Sequence, residues 1–71
     1  MRKEQIKPTL QEIGIPISFF CRNIGISQTA FYKWIHGELK LSESNEQRIT
    51  DYMEKAMYFM EELSKLHYLG E

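Results

Sequence analysis

Four polar side chains, Gln28, Thr29, Tyr32 and Lys33, are spaced so that one face of an α-helix would carry them together, with Phe31, Trp34 and Ile35 on the other side. Their chemistry is recognition rather than bond breaking. A glutamine amide offers a donor and an acceptor in the geometry of an adenine edge, and hydroxyls of Thr29 and Tyr32 donate or accept. The Lys33 ammonium pairs with a base or a phosphate. Ser27 precedes this set, and Arg22, His36 and Lys40 lie to either side as further donors suited to phosphate. Catalysis has no comparable basis: there is no Gly-rich phosphate loop, no paired carboxylates and no nucleophile with a base at a recognisable spacing. The spacing of Cys21 to His36 and His67 matches no metal site. No catalytic residue, metal, cofactor or small-molecule substrate is therefore expected.

The elements that position those side chains are legible between Ile17 and His36. Phe20, Cys21, Ile24, Ile26, Phe31 and Trp34 fall where two short crossing helices must meet. Cys21 sits at the crossing, where only a residue of about the bulk of Ala or Ser allows close approach. Gly25 stands where the first helix ends and the chain reverses, a place that favours positive φ. Ser27 then caps the next helix, which runs from Gln28 to His36 and is closed by Gly37. Two helices joined this way form a helix-turn-helix.

The same residues resemble the phage-repressor and Cro-like helix-turn-helix domains, also called the xenobiotic-response-element type. The matching strings are Gly14-Ile15, the run Gly25-Ile26-Ser27-Gln28-Thr29-Ala30-Phe31-Tyr32-Lys33-Trp34-Ile35-His36-Gly37, then Lys40-Leu41-Ser42, Ile49 and Tyr52-Met53. They cover most of residues 5 to 55. The resemblance implies a compact helical domain whose third helix enters the major groove, commonly as a dimer on a two-fold related site. It assigns base-facing roles to Gln28, Thr29, Tyr32 and Lys33, and a phosphate or base role to Ser27. Three positions depart from the family pattern. Pro16-Ile17 stands where a Ser or Thr cap followed by Gln is usual, Glu38 intrudes into a loop that is often basic, and Glu46 replaces an apolar residue.

Composition is compatible with one small domain over residues 1–71: 42% of the residues are hydrophobic, and the single cysteine excludes an intramolecular disulfide. Neither a signal-peptide pattern nor a membrane-length apolar run is present, so the expected setting is the cytoplasm, on the nucleoid when bound to DNA. A formal net charge of −1 argues against nucleic acid only until its distribution is considered. Over residues 1–37 five basic residues, Arg2, Lys3, Lys7, Arg22 and Lys33, face Glu4 and Glu12, a balance of +3; residues 38–71 carry −4. The positive half contains the motif.

The remaining chain is expected to be helical. Ile6, Leu10 and Ile13 predict a first helix from about Glu4 or Gln5 to Ile13, with Pro8 confined to its early part, and a second helix spans Pro16 or Ile17 to Ile24. From Ser42 or Ser44 there is neither Pro nor Gly until Gly70, which predicts one long helix over 42–69. Ser44 and Gln47 have the spacing of a capping box. The expected fold is therefore all-α: a small, lambda-repressor-like helix-turn-helix domain of three short helices plus a long C-terminal helix.

That last helix carries Ile49, Met53, Ala56, Met60, Leu63 and His67 on one stripe and Tyr52, Phe59 and Leu66 on another beside it. At 1.5 Å per residue, the part beyond Phe59 projects about 10–20 Å past the core. Phe59, Met60, Leu63 and Leu66 are accordingly expected to join two copies as a homodimer. The expectation that follows is a dimeric, sequence-specific double-stranded DNA-binding regulator, bacterial or phage, repressor-like and without an effector domain. The competing readings are a helix-turn-helix that binds protein, as an antirepressor or adaptor, and a DNA-targeting factor in mobile-element recombination.

Overall fold

The computed structural model describes residues 2–69, with side-chain surroundings for residues 2–65. A 3-10 turn, Lys3–Gln5, leads into α1 (Ile6–Ile13); α2 (Ile17–Ile24), α3 (Gln28–Ile35) and the long α4 (Glu43–Leu69) follow. The described residues are all-α, with no strand. A long axis of 46 Å against widths of 20 and 19 Å is set by the 27 residues of α4, which span about 40 Å.

Each helix end has a local cause. The first is wound as a 3-10 turn before it becomes α-helical at Ile6, so Pro8 occupies the third α-helical position, within the first turn, where its missing N–H breaks no bond. Pro16 lies one residue earlier than the first helical position: it is the N-cap of α2, with extended backbone (φ −63°, ψ 143°), and its carbonyl accepts from the Phe20 amide at 3.1 Å. Ser27 caps α3 as expected, its Oγ accepting from the Ala30 amide at 3.0 Å. The end of α3 comes at Ile35, one residue short of the expected His36. Gly37 turns left-handed there (φ 77°), and the amides of Gly37 and Glu38 close onto the carbonyls of Trp34 and Lys33 at 3.1 and 2.8 Å.

The start of α4 corrects another expectation. Ser42, not Ser44, is the cap: its Oγ accepts from the Asn45 amide at 3.1 Å. The Ser44 and Gln47 pair does not close a capping box; the Gln47 amide donates instead to the Asp51 carboxylate at 3.0 Å, along the helix surface.

The core is built where the four helices meet. Leu10, Phe20 and Phe31 have no exposed surface, and Ile6, Cys21, Ile24, Trp34, Ile49 and Met53 are buried around them. Phe20 is central: the Phe31 ring meets it edge-on at 5.4 Å and the Tyr52 ring at 5.1 Å. Burying side chains of this size contributes about 1.5–3 kcal/mol each, and such aromatic contacts add about 0.5–1.5 kcal/mol. Ile26, Ile35 and Tyr52 close the core from its margin, half-buried. No buried side-chain nitrogen or oxygen among the described residues lacks a partner.

Candidate nucleic-acid interface

The interface begins with how α3 is held. Phe31 and Trp34 anchor its inner side, two polar contacts hold it further, and a third braces α2 beside it. The Trp34 indole Nε1 donates to Glu46 on α4 at 3.3 Å, and Lys3 Nζ donates to the Trp34 carbonyl at 3.1 Å while lying 5.8 Å from the indole ring centre. A cation at that carbonyl also suits the negative end of the α3 dipole. From α4, Arg48 Nη1 donates to the Ile24 carbonyl at 3.4 Å and so braces the end of α2. None of these three brackets is among the site residues expected from the sequence.

Between α2 and α3 the chain turns in three residues, Gly25, Ile26 and Ser27. Gly25 has φ 91°, and a Cβ added there would meet Arg48 Nη1 at an ordinary 3.7 Å. The requirement for glycine is therefore one of backbone conformation, not of space. Cys21 is 2% exposed within α2, at the packed face, and its desolvation pushes the thiol pKa up. A thiol in that setting is a packing residue, not a nucleophile.

With its inner side fixed, α3 presents Gln28, Thr29 and Lys33 to the outside, all exposed. Ser27 is exposed too; its oxygen already serves the Ala30 amide, which leaves the hydroxyl hydrogen free to donate. Tyr32 differs from the other three. It is half-buried, edge-on to Phe31 at 5.7 Å, and the Lys7 ammonium of α1 lies 5.1 Å from its ring centre. Tyr32 is thus a wall of this face, packed between Phe31 and Lys7.

The flanking donors are distributed more widely. Arg22 is exposed on α2, His36 is the exposed C-cap of α3, and Lys40 is exposed in the loop before α4, two residues after the exposed Glu38. Among the described residues the one ion pair is Lys65 with Glu62, so no carboxylate lies within 4.0 Å of Arg22, Lys33 or Lys40. Glu46, one of the three positions that depart from the resembled pattern, is engaged by the Trp34 indole.

On α4, Ile49 and Met53 are buried in the core, as their stripe predicts. Farther along, Phe59 is 63% exposed and Leu63 45%, Met60 is half-buried, and Leu66 lies outside the described side chains. Met57 and Tyr58 add exposed surface that the two stripes did not include.

These features define a small all-α protein in which a helix-turn-helix unit is locked from behind and shows a polar, cationic outer face. The chain matches no protein-family model, no curated protein and no solved structure. No helix among the described residues is long and apolar enough to cross a membrane.

Proposed function

We propose that the protein binds double-stranded DNA in a sequence-specific manner, with α3 in the major groove, as a repressor-like transcriptional regulator of the phage-repressor and Cro-like type. One observation carries this reading: Gln28 and Thr29 stand exposed on the first turn of a helix whose other side is fixed by Phe31, Trp34, Lys3 and Glu46. A rigid helix with a free amide at its leading turn suits direct readout of a base edge. Phosphate contacts come from Lys33, Arg22, Lys40 and His36, and the +3 balance of residues 1–37 draws the duplex toward that side. The exposed Phe59 and Leu63 support a homodimer through α4, which doubles the few contacts one copy can make.

Protein binding through the same unit is the second reading, favoured by Phe19, which is 52% exposed on α2 beside Arg22 and Asn23. Selection of duplexes from a random library separates the two. Under the DNA reading a consensus is recovered, and Gln28→Ala and Thr29→Ala each weaken binding to it by roughly 1–3 kcal/mol while the circular dichroism spectrum is unchanged. Failure to recover a consensus, or folded variants that bind it as the parent does, removes the assignment.

A further inference from the structure

We propose that Lys7, on α1, is a phosphate-contacting residue of this face, held in place by the Tyr32 ring. The inference rests on the DNA-binding reading and adds to it a residue from an element outside the helix-turn-helix. Tyr32 stands one turn after Gln28 on α3, and the Lys7 ammonium lies over its ring at 5.1 Å from the centre. An aromatic face attracts a cation but does not neutralise it. Among the described residues no carboxylate comes within 4.0 Å of the ammonium, since the one ion pair there is Lys65 with Glu62. A cation so held, beside a row of exposed hydrogen-bonding groups, is poised for an arriving anion. The duplex backbone supplies one on each side of the groove that α3 would enter.

Lys3, four residues earlier, provides the contrast. Its ammonium donates to the Trp34 carbonyl at 3.1 Å, so it is engaged in fixing the end of α3. Two lysines of one N-terminal segment therefore have different tasks. Lys3 braces the helix, and Lys7 extends the charged edge of the face past Tyr32.

The test is a salt series, about 50–300 mM, of binding to a labelled duplex of random sequence and to a duplex selected by the parent protein. Lys7→Met, which keeps an unbranched side chain and removes the charge, is expected to lower the slope of log affinity against log salt by about one on both duplexes alike. Lys7→Arg restores the slope, and Lys3→Met leaves it unchanged while lowering the unfolding temperature. Tyr32→Phe preserves the loss caused by Lys7→Met in a double-mutant cycle, whereas Tyr32→Leu reduces it. Lys7→Gln serves as the uncharged variant if Lys7→Met does not fold. An unchanged slope in the uncharged variant, with Gln28→Ala still weakening the selected duplex, overturns the role of Lys7 and leaves the DNA reading standing. A parent protein with no salt-dependent binding to either duplex overturns both.

Discussion

The indole of Trp34 and the carboxylate of Glu46 are joined by a hydrogen bond of 3.3 Å, which links the anchoring residue of α3 to the first turn of α4. Glu46 thereby answers two needs. It gives a nearly buried N–H its acceptor, and it places negative charge at the positive end of the long helix. Glu46→Gln retains a carbonyl acceptor and is expected to cost under about 1 kcal/mol, from the lost charge alone. Glu46→Ala leaves the indole unpaired as well and adds about 0.5–1.5 kcal/mol. Urea unfolding followed by the fluorescence of Trp34, the only tryptophan, measures both. Equal losses in the two variants would show that the bond to the indole contributes nothing.

Cys21 is expected to tolerate shrinkage and resist growth. Cys21→Ala should stay within about 1 kcal/mol of the parent, because the crossing of α2 and α3 needs a small side chain and not a thiol. Cys21→Leu overpacks the same spot at a cost of about 1–3 kcal/mol. Loss of DNA binding in a folded Cys21→Ala protein would contradict the packing role.

Alkaline pH should destabilise the fold through the buried Cys21 and the half-buried Tyr52. Desolvation raises the pKa of Cys21 above its ordinary 9.0 and that of Tyr52 above its ordinary 10.0 in the folded protein. The unfolded chain therefore releases these protons first. Stability from this source is fully present below about pH 9 and is lost as pH rises through the folded values. A Cys21→Ala, Tyr52→Phe double variant keeps the ring against Phe20 and should lose less stability between about pH 8 and pH 11 than the parent. Parallel losses in the two proteins would assign the alkaline limb to other groups.

The exposed Phe59 and Leu63 of α4 make the proposed dimer testable by charge. Replacing Phe59 and Leu63 together by Glu puts two carboxylates into an apolar contact and should dissociate the pair. Phe31, Trp34, Ile49 and Met53 are untouched, so the four-helix core should remain folded, while DNA affinity falls steeply as two half-sites become one. Sedimentation of the parent at micromolar concentration decides the matter. A parent that is already monomeric would end the proposal of a homodimer through this surface.

Much of the core was legible from one dimension. Phe20, Cys21, Ile24, Phe31 and Trp34 are buried where their spacing puts them, because an amphipathic helix has only one side on which to hide them. Ser27 and Gly25 were legible for a related reason: a cap bonds an amide three residues away, and a left-handed turn depends on the residue that makes it. The choice of Ser42 over Ser44 was not, since both have an oxygen and a helical run ahead, and the course of the loop selects between them.

The sequence by itself thus determined the four helices, their apolar faces and the outward exposure of Gln28, Thr29 and Lys33, all of which follow from local periodicity and local hydrogen bonding. Only the tertiary structure decided what stands behind and beside α3. Lys3 bonds to Trp34 across 31 residues, Arg48 to Ile24 across 24, and Lys7 lies over Tyr32 on a different helix. Such contacts depend on the angle and register at which helices dock. Those are set by the fit of Phe20, Phe31 and Tyr52 in three dimensions, and no spacing along the chain encodes them.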